Sequence, residues 1–448
     1  MGTESPFSAE PDHLCVLVHG LWGNPKHLAY VHDTLRDAFP PSRLHILNCA
    51  RNVGAFTYDG IELGGERVAH EIEETLAALA SEGRPIRKLS VVGYSLGGLV
   101  ARYAIGLLYH QGWFAEGKLE PINFVTFASP HLGVRTPLKG WHNQVWNVVG
   151  ARTLSMSGRQ LFLIDEFRDT GKPLLEVLAQ KEGVFMEALG RFKRRSLYTN
   201  ILNDRSAVYY TTAITKTDPF VGLHDLNFSY LKGYEPNLID ASKPITLKAE
   251  EQSVPLWEWI TTRARRAIHA IPLIAFFTLI LPLATVFFLL NSGYQTVKSG
   301  QRIRLHESGQ TGIQTRLYKV PLLVRNVRRA AEEVYENMNS AQAEEYLEEE
   351  HATDSQTTRA GHEDGGSGQA NGKEKNKVKA PYAEFPTLAL TAGQFEMIRA
   401  LDELGWEKYP VYIHKVHHTH AAIIVRMPKP RFDEGKVVVG HFVGAFDI

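Results

Sequence analysis

The run Val91-Val92-Gly93-Tyr94-Ser95-Leu96-Gly97-Gly98-Leu99-Val100 constrains this chain more than any other stretch. A short β-branched segment enters a serine flanked by glycines and leaves into an apolar pattern with helical spacing. G-x-S-x-G between a strand and a helix makes a sharp, strained turn, and its glycines clear the space that lets a serine hydroxyl stand out of the sheet. Ser95 is therefore the candidate nucleophile. Over five residues an ordinary serine in a glycine-rich turn reads the same way, so the rest of the chain must supply partners.

Around this turn, short apolar runs alternate with helical patterns. His13 to Val18, Leu44 to Cys49, Lys88 to Val92, Ile122 to Phe127 and Ser196 to Leu202 read as strands. Leu28 to Phe39, Gly64 to Leu79 and Leu99 to Leu108 read as amphipathic or buried helices between them. That alternation predicts an α/β fold with a mostly parallel sheet and helices on both faces. Residues 137 to 190 are helix-compatible, and they read equally as a lid over Ser95 or as a helical layer on the sheet. Order is expected to return at Pro381, with a helix over Leu390 to Leu404 and strands at Tyr409 to Val416 and Ile423 to Val425.

A serine hydroxyl attacks poorly until a base removes its proton, and that base needs a carboxylate to fix its tautomer and stabilise its cation. In α/β-hydrolases these follow the serine in the order acid, then histidine. Asp204, after the strand ending near Leu202, is the candidate acid, with Asp218 as the alternative. Among 19 histidines, His414 sits in a strand pattern and reads as structural. His417, His418 and His420 occupy a polar loop before an apolar run, and His420 is the candidate base, with His224 its main competitor. No cysteine or carboxylate spacing turns this cluster into a metal site. The oxyanion requires two backbone N–H donors, and Leu21 and Leu96 are placed to give them.

The runs H-G-L-W-G-N, G-Y-S-L-G-G-L-V-A-R-Y and S-P-H-L-G together resemble a serine esterase/lipase family of fungi and plants, whose fungal members include a lipid-droplet phospholipase. The resemblance covers about residues 12 to 230 and resumes from about 405. It implies an α/β-hydrolase whose elbow serine is Ser95, whose N-D acid is Asp204 and whose histidine before an I-I-V-R run is His420. His131 matches the P-H-L-G turn and reads as structural. Many relatives carry V-P after the acid, where this chain has Ala207-Val208-Tyr209.

From Ala267 to Leu290 the chain runs 24 residues without a formal charge, flanked by Arg263, Arg265 and Arg266 before it and by Lys298, Arg302 and Arg304 after it. At about 1.5 Å per residue, a helix of that length covers the roughly 30 Å of a hydrocarbon core. Pro272 and Pro282 interrupt it, and basic flanks on both sides favour a hairpin that dips into one leaflet and returns. A single crossing would put His420 and Ser95 on opposite sides of the membrane.

The expected organisation is thus a main hydrolase part over 1–255, a membrane-associated segment over 256–300 with its core at 267–290, a helical segment over 301–350, a disordered polar linker over 351–380, and a part completing the hydrolase over 381–448. Forty-nine basic and 49 acidic residues cancel, so no global field steers the chain to nucleic acid. Cys15 and Cys49 make no disulfide or metal pattern. No leader is expected, because Met1 to Asp12 has no basic start followed by an apolar run.

The reading that follows is a cofactor-independent serine lipase or phospholipase acting on acyl esters. Its partners are a lipid ester substrate and a membrane or droplet monolayer, on the cytosolic face of a lipid droplet or the endoplasmic reticulum. Its rivals are a catalytically silent membrane scaffold and a protein esterase or thioesterase.

Overall fold

A computed structural model describes residues 12–134, 155–204, 206–221, 223, 226–247, 290, 292–311, 313 and 385–448. The strands are β1 (His13–Val18), β2 (Leu44–Asn48), β3 (Lys88–Tyr94), β4 (Glu120–Phe127), β5 (Arg194–Asn200), β6 (Leu226–Asn227), β7 (Thr246–Leu247) and β8 (Glu407–Val411). Six of them form one sheet in the order β2-β1-β3-β4-β5-β8, and every neighbouring pair runs parallel. Parallel strands need crossovers that cover both faces, which is why these strands read as nearly unbroken apolar runs.

The helices are α1 (Ala29–Ala38), α2 (Ile61–Ser81), α3 (Leu96–His110), α4 (Ser155–Leu161), α5 (Leu174–Leu178), α6 (Val184–Gly190), α7 (Tyr209–Thr212), α8 (292–307), α9 (Ala392–Asp402), α10 (Thr419–Ala422) and α11 (Glu434–Gly444). Side chains alternate across a strand, and β1 divides accordingly. Leu14, Val16 and Val18 join one core with α2, α3, α5, α6 and α9. Cys15 and Leu17 join the other with α1, α10 and α11. Helices on both faces of a parallel sheet make this the expected α/β-hydrolase fold.

Within 155–190 the helices pack rather than hover. The Phe185 ring of α6 lies 4.9 Å from Tyr103 of α3, and a Cβ on Gly106 would fall 2.2 Å from Phe185. In α4, Gln160 Oε1 accepts the Ile61 N–H at the start of α2, at 2.7 Å. Residues 155–190 form a helical layer on the sheet; residues 135–154 lie outside the described residues.

Two local expectations fail. Ile423 to Val425 is not a strand but the turn that follows α10, with Val425 at φ 52°. All three residues are buried, and a three-residue apolar run carries no period from which strand and turn can be told apart. The last sheet strand also ends at Val411 rather than Val416, so His414 lies beyond it. There its Nδ1 contacts Glu434 Oε1 at 3.1 Å. Residues 267–289, 314–346 and 351–379 lie outside the described residues. Among the described residues, no helix is long and apolar enough to cross a membrane.

Candidate active site

The chain leaves β1 for β2 on one side and later enters β3 on the other, so a crevice opens at the carboxyl ends of β1 and β3, where α/β sheets bind ligands. Ser95 stands there between Tyr94 and Leu96, at φ 56° and ψ −130°. Such a backbone costs about 1–3 kcal/mol for a residue with a side chain, and the surrounding structure must hold it. Its N–H donates to Phe127 O at 2.9 Å, and its carbonyl accepts the Gly98 N–H at 3.1 Å. The flanking glycines serve close approach: a Cβ on Gly97 would fall 2.1 Å from Val18 O, and one on Gly93 would fall 2.4 Å from the Gly98 Cα.

Asp204 lies in the loop after β5, with its side chain 1% exposed. Four donors satisfy it. Oδ1 accepts the N–H groups of Ser206 at 3.0 Å and Ala207 at 2.9 Å. Oδ2 accepts from Asn200 Nδ2 at 2.9 Å and lies 2.8 Å from His420 Nδ1. An ionised carboxylate only accepts, so Nδ1 carries the ring proton and Nε2 is left as an acceptor. His420 Nε2 lies 2.9 Å from Ser95 Oγ, which places the serine O–H as the donor. The structure thus brings Ser95, His420 and Asp204 together in two consecutive side-chain contacts, with Ser95 and His420 325 residues apart in sequence.

His420 sits on α10, a four-residue helix, and two contacts missed in the sequence hold it. Tyr94 Oη donates to the His420 carbonyl at 2.9 Å, and the two rings lie 5.1 Å apart. Thr419 Oγ1 donates to Leu202 O at 2.9 Å, joining α10 to the loop that carries Asp204. The signal available for Tyr94 was its place beside the serine, at the last position of β3. Asn200 gave none beyond ending β5.

The loop after β1 lies directly on Ser95. A Cβ on Gly20 would fall 2.7 Å from Ser95 Cβ and 3.2 Å from its Oγ. Among the described residues no acceptor takes the N–H of Leu21 or of Leu96, the latter being a first-turn helix amide with no intrahelical partner. Trp22 turns the loop at φ 53°, held by its N–H to Thr57 Oγ1 at 3.0 Å and its Nε1 to Tyr58 Oη at 2.6 Å. Burial pushes the His19 pKa down, so that ring is neutral at pH 7.

The remaining candidates separate from this site. Asp218 accepts the Phe220 N–H at 2.9 Å. His131 is buried, contacts Thr126 Oγ1 at 3.1 Å and packs on Trp406; burial holds its pKa far below the usual histidine range. His417 and His418 are exposed. His224 is outside the described residues. Among the described residues no group of histidine, cysteine or carboxylate side chains forms a metal site.

Residues 8–217 match the family described as "Putative serine esterase (DUF676)". Those residues, just under half of the chain, are similar to that serine esterase family. It is 33% identical over 243 residues to "Putative lipase ROG1" of Saccharomyces cerevisiae, covering 52% of this chain and 33% of that protein. A second putative lipase of the same yeast is 31% identical over 215 residues, 47% of this chain and 31% of its own. The chain therefore spans about a third of the length of these curated relatives. Among solved structures, phospholipase PlaB from Legionella pneumophila aligns at 13% identity and a TM-score of 0.29, over 44% of this chain and 40% of that one.

Proposed function

We propose that this chain is a serine hydrolase that cleaves the acyl ester bonds of glycerophospholipids or acylglycerols at a membrane or lipid-droplet surface. The observation that carries this reading is the relay from Ser95 Oγ through His420 to Asp204, with both steps under 3 Å. Ser95 Oγ attacks the ester carbonyl carbon while its proton passes to His420 Nε2. Asp204 stabilises the imidazolium that forms. The carbonyl oxygen, now negative, turns into the Leu21 and Leu96 N–H groups, an arrangement worth about 3–4 kcal/mol per donor in comparable sites. His420 then protonates the departing alcohol, and a water activated by the same ring releases the fatty acid from the serine ester. No step calls for a cofactor.

The membrane part of the proposal rests on the uncharged run at 267–290. The contact between Ser95 and His420 supports a hairpin over a single crossing, because it requires both flanks on one side of the lipid.

The test is to incubate purified protein and a Ser95→Ala control with a panel of phospholipids, acylglycerols and thioesters and to weigh the products. Fatty acid release from lipid esters that Ser95→Ala lacks, down by at least about 10⁴-fold, is the expected result. A lipid-free phenotype retained by Ser95→Ala would replace the enzyme with a scaffold, and turnover confined to thioesters or protein esters would move the substrate class.

A further inference from the structure

Helix α8 is turned inside out. A surface helix on a water-soluble protein buries its apolar stripe and exposes its polar one. Here Tyr294, Val297 and Leu305 of α8, with Leu290 just before it, share one stripe, at helical steps of 4, 7 and 15 from Leu290, with Gln301 among them, and the four apolar residues are 70, 59, 62 and 47% exposed, Leu290 first. The face turned to the protein carries polar groups: Ser299 and His306 are buried, and Ser299, Arg302 and His306 each meet a polar partner. Ser299 Oγ donates to Tyr58 O at 3.4 Å. Arg302 donates to both Asp59 oxygens, with Nη2 2.7 Å from Oδ1 and Nε 2.9 Å from Oδ2. His306 Nε2 pairs with Glu66. The orientation of α8 is therefore fixed by hydrogen bonds and ion pairs, and its apolar side is held outward.

Large exposed apolar faces mark interaction sites, and three observations choose a lipid surface as the occupant. The stripe begins at Leu290, the last residue of the 24-residue uncharged run, so it directly follows in sequence the most apolar stretch of the chain. Basic side chains border it: Lys298 Nζ lies 5.8 Å over the Tyr294 ring, and Arg304 is exposed. That is the arrangement of interfacial helices, whose lysine and arginine stems lie along apolar surface while their charges reach headgroups. Finally, the face is tied to the mouth of the site. Arg302 lies 5.2 Å over the Phe56 ring, and Ser299 holds Tyr58, which accepts from Trp22 of the oxyanion loop. Phe56 and Trp22 are themselves exposed.

We infer that α8 lies along a lipid surface with its Leu290 to Leu305 stripe in the headgroup layer, and that its polar side clamps the catalytic domain there through Tyr58, Asp59 and Glu66. This deepens the lipid-surface reading above and rests on it for the substrate.

A position-specific label tests it. The native Cys15 and Cys49 are free and buried, so Val297→Cys in the full chain takes an environment-sensitive fluorophore selectively, and Ser81→Cys, exposed at the end of α2, serves as reference. Adding phosphatidylcholine vesicles should raise and blue-shift the emission at position 297 several-fold and leave position 81 unchanged. Three results would overturn the inference: no vesicle binding, vesicle binding with no change at 297, or a blue-shifted label at 297 before lipid is added, which would mean that another segment or a second copy covers the face. Turnover of a water-soluble short-chain ester, and its loss in Ser95→Ala, is read in parallel on the unlabelled chain. A silent enzyme with a responsive label sinks only the hydrolase reading, and an active enzyme with a silent label sinks only the docking.

Discussion

Two histidine–carboxylate pairs join distant parts of this chain, and they do different things. His420 and Asp204 are 216 residues apart, His306 and Glu66 are 240 apart. In the second pair both side chains are under 10% exposed, and the other ring nitrogen contacts Thr311 Oγ1 at 3.2 Å. That network is closed, and it fastens α8 to α2. In the first pair the ring is 17% exposed, and its free nitrogen meets a serine on a strained turn beside two open amides. The imidazole and carboxylate are common to both. On the proposed reading, what would make one pair chemical is the third partner, Ser95, and the greater exposure of the ring.

Breaking each pair should expose that difference most clearly. Asp204→Asn keeps the shape of the site but presents an amide to Nδ1, favouring the wrong tautomer, and ester turnover should fall about 10⁴-fold with the melting temperature little changed. Steady-state kinetics on a soluble ester checks it. His306→Leu should do the reverse. It strands Glu66, whose pKa burial already pushes up, and removing one partner of a buried pair costs about 3 to 5 kcal/mol. Denaturant titration should show that loss while turnover of the soluble ester by the folded fraction stays within about twofold of the parent. Equal effects of the two variants on turnover would erase the distinction.

His13 sharpens it from a third direction, as a buried histidine with no carboxylate in hydrogen-bond contact. Its Nε2 meets Ser90 Oγ at 2.8 Å, and burial lowers its pKa from 6.5 to about 4. Between those values the unfolded chain binds a proton that the folded chain refuses. The stability it allows is thus fully present above pH 6.5 and is lost as pH falls to about 4, a loss of roughly 3 kcal/mol. His13→Gln should flatten the stability profile over that window without moving the pH dependence of turnover. A turnover profile that shifted with it would tie this remote ring to the site.

The turn at Ser95 and the sheet were legible in the sequence, because both impose local rules. A strained turn needs its glycines, and a parallel strand buried on both faces needs an unbroken apolar run. Asp204 was legible as a carboxylate just past a strand. His420 was legible as the histidine before the Ile423 to Val425 run, but for the wrong local reason, since that run is a buried turn after a short helix. The helix α11 escaped notice because Val438, Val439, Phe442 and Val443 press into a core that the sequence does not mark as lying beneath the sheet. The inversion of α8 was not readable either, as its partners Asp59 and Glu66 lie more than two hundred residues upstream. Contacts that distant leave no periodicity behind.

Tyr94 gives the finest division of the comparison, because it belongs to the Ser95 motif yet acts on the histidine's backbone. Its hydroxyl donates to the His420 carbonyl, and burial pushes its pKa up, so at any working pH it stays a neutral donor. Tyr94→Phe keeps the ring against His420 and removes one hydrogen bond, worth about 0.5–1.5 kcal/mol. If that bond only contributed to folding, the loss would appear in denaturant titration and kcat would hold. If it sets where α10 presents the imidazole, the loss falls on the transition state, and kcat should drop about three- to tenfold with KM unchanged. We expect the second outcome, because α10 has only four residues and its other tie to the site is Thr419 to Leu202. No equivalent brace is needed at His306, which is carried by a sixteen-residue helix. A short element that holds a catalytic ring depends on its few hydrogen bonds for aim, and a long one does not.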